Sequence, residues 1–352
     1  MAALMKSGER EEQLDRRQQR ILRFVVELFV TSGQPVGSRT ISKFEGEHLS
    51  AASIRNTMAD LEEMGYLVQP HTSAGRVPTD LGYRYYVDIL MDQPALPVAE
   101  QREIKAFFKS YQGVVGSILE KTSKLLSSYS HYIGIVSAPQ FESAVFSHVD
   151  FIKQGPDRVL VIFVDRAGLV HNKMIRIDAD ISQEELNRIG EWVVERFHGM
   201  SLTELRRKVE EMLDRERAMM DMLVRNALYF ARSSFADGFG DEDFYVEGTI
   251  NIFEGPDFTD REQLRVLMRA IEEKRHLLQL LNSCLDGEGV QVVIGSESDL
   301  KGIRGCSLVA SAYTFPDGSR GSIGVLGPTR MLYPRTVFLV DLVSKQISRL
   351  PI

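Results

Sequence analysis

Apolar residues recur at helical spacing near the start of the chain. Ile21, Leu22, Val25, Leu28 and Phe29 form one stripe, which predicts an amphipathic helix over residues 14–31. Ser32-Gly33-Gln34-Pro35 ends it, because glycine suits a left-handed cap and proline cannot continue a helix. A short helix is predicted over 38–44, with Ser38 as its cap and Ile41 and Phe44 turned inward. After a turn at 45–49, Ser50 caps a third helix, whose Ile54, Met58 and Leu61 lie at i, i+4 and i+7. A strand-like run at 66–70, turn chemistry at Thr72-Ser73-Ala74-Gly75 and the returning Arg76-Val77-Pro78 predict a small hairpin. Thr79 or Asp80 then starts a helix through Leu90. Three helices and a hairpin, in that order, are the pattern of a winged helix-turn-helix. Pro94 and Pro97 mark a linker.

Beyond the linker the pattern predicts a helix over 98–129 and strands at 132–136, 147–153, 158–164 and 169–177. Gly155-Pro156-Asp157 and Arg166-Ala167-Gly168 are turns, so the last three strands form an antiparallel meander. Ser182 with Glu185, Ser201 with Glu204 and Thr259 with Glu262 match capping boxes. The second opens a long helix striped by Leu202, Leu205, Val209, Met212, Met219, Leu223 and Phe230. The third opens a helix striped by Leu264, Leu267, Ile271, Leu278 and Leu285. Strands at 290–294, 307–313 and 320–326 follow, with an Asp317-Gly318 hairpin signal and a last helix over 334–348.

Composition narrows the class. Hydrophobic content of 43% with 26% charged residues fits a globular chain of two or three domains. No run approaches a transmembrane span, the start lacks the apolar core of a signal peptide, and residues 1–13 read as a disordered tail. Two cysteines, Cys284 and Cys306, suggest no disulfide framework, so a reduced, cytoplasmic protein is expected. The net charge of −7 argues against diffuse binding to nucleic acid, though a small basic face can sit on an acidic protein.

The third helix carries the most informative side chains. With Ile54, Met58 and Leu61 inward, Ala52, Ser53, Arg55, Asn56 and Thr57 are expected outward or on the flanks. Arginine can fork onto guanine, asparagine can pair with adenine, serine can bond bases or phosphates, and alanine can touch a thymine methyl. No acidic residue lies between Ser50 and Met58. The alternative is an ordinary helix with a small-residue face. His71 and Arg76 are the candidate wing contacts, with Arg76 reaching the minor groove or pairing with a neighbouring carboxylate. Arg16, Arg20 and Arg23 share a helix face that could follow phosphates or simply be solvated. Tyr83, Tyr85 and Tyr86 suit packing better than base stacking, and the methionines around 212–222 suit packing better than an adaptable binding surface. None of the seven histidines lies in a zinc or metalloprotease spacing. No nucleophile elbow is present, and the glycines at 287–289 and 321–324 lack a phosphate-loop pattern. An enzyme is therefore not expected, and no cofactor.

Two stretches carry a family resemblance: QPVGSRTIS at 34–42 and SAASIRNTMADLEEMGYLVQPHTSAGRVPTDLGYRYYVD at 50–88. They resemble the HrcA family of bacterial heat-inducible transcription repressors, and the likeness extends more loosely through the rest of the chain. The resemblance implies an α+β multidomain fold with a winged helix-turn-helix at 14–92. It also implies a discontinuous GAF-like α/β domain at 93–143 and 237–352. A dimerising domain, a three-stranded antiparallel sheet plus helices, is inserted at 144–236, although the meander could instead belong to the GAF-like sheet. The implied DNA contacts are Ser38, Arg39, Ser50, Ala52, Ser53, Arg55, Asn56, Thr57, His71 and Arg76. The implied partners are operator DNA with an inverted repeat called CIRCE, a GroEL-type chaperonin and a second copy of the chain, with no membrane. One departure is the acidic turn FEGEHL at 44–49, which weakens any phosphate contact from that turn. A metabolite sensor acting through the GAF-like domain is the competing switch, and ligand-dependent thermal stabilisation would distinguish it.

Overall fold

The computed structural model describes residues 14–44, 50–72, 74–92, 96–111, 115–139, 145–166, 168, 170–177, 181–215, 227–232, 244–251, 265, 267–269, 271, 277–278, 280–281, 287–298, 305–316 and 320–350. It is an α+β chain with three sheets. The expected tail at 1–13, the turn at 45–49, the Thr259 box and the Asp317-Gly318 hairpin lie outside these residues.

The first block opens with α1 (Arg16–Ser32), α2 (Ser38–Phe44) and α3 (Ala51–Glu63). A two-stranded hairpin, β1 (Leu67–Val68) and β2 (Val77–Pro78), follows and leads into α4 (Asp80–Tyr85). α1 is held at its start by a reciprocal box between Asp15 and Gln18 and ends at Gly33 in the left-handed conformation (φ 69°). Helix α2 begins at Ser38 itself, and the Gly37 carbonyl accepts from Thr40, so glycine and not Ser38 occupies the capping place. The chain after Tyr85 widens into a π-type turn over Tyr86–Leu90, closed by Met91 N–H to the Tyr86 carbonyl at 2.8 Å.

The predicted helix over 98–129 is two helices, α5 (Val98–Lys109) and α6 (Val115–Ser130). A five-stranded antiparallel sheet runs β7-β3-β10-β9-β8, from β3 (Ile133–Ser137), β7 (Phe244–Glu247), β8 (Val290–Ile294), β9 (Cys306–Thr314) and β10 (Arg320–Pro328). The last helix is α9 (Tyr333–Ile347). Both faces of this sheet are covered. Val136, Val309, Ile323 and Val325 share a core with α6, α9 and the first block, while Ile133, Ile135, Leu308 and Leu326 pack with Leu267, Ile271, Leu277 and Leu281. Side chains alternate across a strand, so adjacent residues feed opposite cores.

Residues 146–231 supply a separate core. The sheet β4 (Phe146–Lys153), β5 (Arg158–Asp165) and β6 (Val170–Arg176) packs one face against α7 (Gln183–Phe197) and α8 (Leu202–Arg215). The predicted antiparallel meander is observed, and its register sets Val161 between Phe151 and Lys173. At the start of α8 the Ser201–Glu204 box closes both ways, Ser201 N–H to the Glu204 carboxylate at 3.0 Å and Glu204 N–H to Ser201 Oγ at 3.3 Å. The helix was expected to run on to Phe230. Its described part stops at Arg215, residues 216–226 lie outside the described ones, and a helical stretch resumes at 227–232.

Candidate nucleic-acid interface

The third helix has the orientation its spacing predicts. Ser50 Oγ accepts from the Ser53 N–H at 3.2 Å, which fixes the first turn. Ile54, Met58 and Leu61 are buried in the core shared with α1. The i, i+3, i+4 set Ala52, Arg55 and Asn56 is exposed, and Ala59 continues that face half-buried. Toward the C-terminal end the exposed residues become Asp60 and Glu63. Phosphates would be repelled there, so the first two turns form the usable face.

Two candidates on this helix need correction. Thr57 is only 4% exposed and its Oγ1 donates to the Ser53 carbonyl at 3.3 Å. It is a packing residue, because the turn that points Arg55 and Asn56 outward carries Thr57 round to the core. Ser53 is half-buried, and Arg17 from the first turn of α1 holds it, donating through Nη2 to its carbonyl at 2.7 Å and to its hydroxyl. Arg17 lies off the face that helical spacing gives to its neighbours Arg16, Arg20 and Arg23. No sequence signal links Arg17 with Ser53. The bond exists because α1 and α3 cross there.

The arginine stripe is also broken. Arg23 bonds Glu27 at 2.8 Å and also pairs with Asp92, and these carboxylate bonds raise its pKa further. Arg16 and Arg20 stay exposed beside the Arg17 contact. On α2, Arg39 is exposed and Ser38 is half-buried.

Arg76 sits where the turn of the hairpin rejoins β2. Arg76 exchanges two backbone hydrogen bonds with Val36, both 2.9 Å, so the segment before α2 lies against the hairpin's returning arm. The guanidinium pairs with Glu62 of α3 at 2.7 Å, with the arginine side chain 19% exposed. Arg76 is thus a brace between the hairpin and α3, the second of the two roles open to it, and not a free basic tip. Gly75 permits the arrangement, since an added Cβ would lie 2.4 Å from the Val36 backbone. The tip is His71 and Thr72, both exposed, tied by Gln69 Nε2 to the carbonyls of Thr72 and Ala74.

The remaining candidates for chemistry are absorbed by packing. Tyr83, Tyr85 and Tyr86 are buried, Tyr85 edge-on to Tyr66 at 5.4 Å and Tyr83 tilted on Tyr333 at 5.8 Å. They cannot stack on bases. Gly321 and Gly324 lie within β10, the former under the Tyr313 ring. Burial pushes the Cys306 thiol up to about 12, which keeps it neutral and a poor nucleophile near neutral pH. Among the described residues no group of three or more His, Cys, Asp or Glu could hold a metal, and no helix is long and apolar enough to cross a membrane.

The family model described as HrcA protein C terminal domain matches residues 116–337. The chain is 42% identical over 337 residues to a heat-inducible transcription repressor HrcA from Geobacter sulfurreducens, covering 96% of this chain and 98% of that one. A protein of the same description from Syntrophobacter fumaroxidans is 37% identical over 338 residues, covering 96% and 97%. A crystal structure described only as that of a hypothetical protein is 22% identical, with a TM-score of 0.57 over 95% of this chain and 98% of its own. That last likeness concerns the fold alone.

Proposed function

The chain belongs to the HrcA family of heat-inducible transcription repressors, and from that membership we propose a homodimeric repressor of heat-shock chaperone operons that reads the CIRCE inverted repeat. The observation that carries this reading is the capped, acid-free start of α3, which turns Ala52, Arg55 and Asn56 outward while Ile54, Met58 and Leu61 anchor the helix. These side chains match the donor and acceptor patterns of the major groove. Ser50, Arg39, Ser38 and His71 complete the contact set, with Ser53 held in place by Arg17. Arg17, Arg16 and Arg20 bring positive charge to the start of the reading helix.

In this reading residues 14–92 are a winged helix-turn-helix with the 71–72 tip as its wing. Residues 93–143 and 237–352 form a discontinuous GAF-like domain, and 144–236 are inserted. The pairing of β3 with both β10 and β7, which follow the inserted segment, supports the discontinuity, as does the separate core of 146–231. The inserted segment also supports dimerisation, although not through the stripe that first suggested it. Leu202, Leu205, Val209 and Phe230 are buried inside their own monomer. The outer face of the three-stranded sheet keeps an apolar column open among polar neighbours. It carries Leu160, Ile162 and Val164 along the centre, with exposed Ile152 and Met174 (50% exposed) on either side of Leu160, Val170 (61%) beside Val164, and Asp150 and Asn172 flanking Ile162. A face of that composition fits a second copy across a two-fold axis.

Repression on this account needs no chemistry and no cofactor. The dimer occupies the operator of a chaperone operon in the cytoplasm, heat lowers the population able to bind, and a GroEL-type chaperonin restores it. Footprinting on chaperone-operon promoters, with and without chaperonin, tests the reading. Protection of an inverted repeat, strengthened by chaperonin, is expected. Protection with no sequence preference would overturn it.

A further inference from the structure

The first block is fastened to the five-stranded sheet by directional polar bonds as well as by apolar packing. Arg84, on α4, donates from Nε to Glu297 Oε1 at 2.7 Å and from Nη2 to the other oxygen of that carboxylate. The same Nη2 reaches the Val292 carbonyl of β8 at 2.6 Å. One turn earlier, Asp80 Oδ2 accepts from the Ser296 N–H at 2.8 Å and from its hydroxyl at 2.7 Å. The loop after β8 is shaped for this contact. Gly295 has φ +48°, and an added Cβ would lie 2.4–2.6 Å from the Asp80 carboxylate. Just beyond the central strand β10, Arg330 donates to the Val30 carbonyl at the end of α1, at 3.1 Å.

Apolar burial is non-directional and by itself lets two blocks rotate or slide. A planar guanidinium forked onto a carboxylate fixes an angle. Arg84 and Glu297 are 27% and 34% exposed, so water competes with them only in part. Taken with the Tyr83–Tyr333 contact behind them, these bonds hold α4, and through the shared core α3, in one orientation on the sheet.

We propose that Arg84 is a positioning residue for operator binding: with Glu297, and with Asp80 on Ser296, it sets the angle of the DNA-reading head on the body and thereby the half-site spacing that the dimer accepts. The inference rests on the dimeric-repressor reading above. Once one head is bound, the second binds at an effective concentration that depends on how narrowly its position is held. A rigid seam concentrates that advantage on one spacing, whereas a loose head spreads it over many.

The test uses the full-length protein and duplexes whose two inverted half-sites are separated by a spacer lengthened or shortened in single base pairs. A duplex with one half-site serves as reference. Wild type is expected to prefer one spacing sharply. Arg84→Ala and Glu297→Gln should flatten the preference by roughly tenfold while leaving single-half-site affinity unchanged. Arg84→Lys, which keeps charge but loses the fork, should behave like Arg84→Ala. An unaltered spacing profile in these variants overturns the proposal. So does an equal loss of affinity at every spacing and at the single half-site, which a merely structural role would produce. Should no inverted repeat be bound at all, the repressor reading fails separately. The seam is then judged by spin-label distances between Thr40→Cys and Arg349→Cys, with Cys284 and Cys306 changed to alanine. A narrow distribution that broadens in Arg84→Ala supports it, and a broad one in the unmutated seam overturns it.

Discussion

The first block and the inserted block put opposite kinds of surface on view. In the first, helices bury their apolar stripes and at least four of its eight arginines are held by protein partners: Arg17 by Ser53, Arg23 by Glu27 and Asp92, Arg76 by Glu62, and Arg84 by Glu297 of the sheet block. Exposed alongside Arg16, Arg20 and Arg39 is one short polar face of α3, Ala52, Arg55 and Asn56. In the second, the helices are buried just as thoroughly, but the outer side of the sheet keeps Ile152, Val170 and Met174 exposed around a central apolar column. A polar face with forked donors suits base edges, and an apolar sheet suits a like surface. The contrast teaches that an apolar stripe in a sequence says which side is covered, not what covers it.

The largest effect should come from the sheet. Ile162→Asp breaks the apolar column and sets a second carboxylate beside Asp150, and an unpaired charge buried on association costs about 3–5 kcal/mol. Sedimentation should then show monomers with an intact fold, and removing 144–236 altogether should do the same. A dimer surviving Ile162→Asp would erase the distinction drawn between the two blocks. Its counterpart, Leu205→Ala in the buried stripe, should lower unfolding stability by about 2–5 kcal/mol with the dimer constant of the folded protein unchanged. Loss of self-association without loss of stability would return the interface to the helix.

On the polar side, Arg55→Ala and Asn56→Ala should each reduce operator preference by about 1–3 kcal/mol in gel-shift titrations against scrambled DNA. Unchanged ratios would remove α3 as the reading helix. The smallest effect is expected from Arg76→Ala. Loss of a partly exposed ion pair should cost about 1 kcal/mol of stability and leave the salt dependence of binding unaltered. A salt slope shallower by about one unit would instead show a phosphate contact.

Much of the first block was legible because its signals are local. The caps at Ser50 and Gly33 and the i, i+4, i+7 stripe of α3 involve neighbours within one or two turns. The meander was legible from its alternation and turns. Thr57 was misjudged because a flank position is decided by what packs beside it. Arg17, Arg76 and Arg84 were unreadable in role, since their partners Ser53, Glu62 and Glu297 are brought near only by folding, the last across 213 positions. The apolar runs of β9 and β10 predicted strands but not that helices cover both sides of them.

Periodicity, caps and turn residues therefore determined which elements form and which side of each is apolar, because those properties depend on the 3.6- and 2-residue repeats of the backbone itself. Tertiary structure decided which arginines are left to meet a ligand, which apolar face stays open and how the head is angled on the body. Each of these depends on partners distant in sequence, and a charge or an apolar surface has no fixed role until its neighbour in space is chosen.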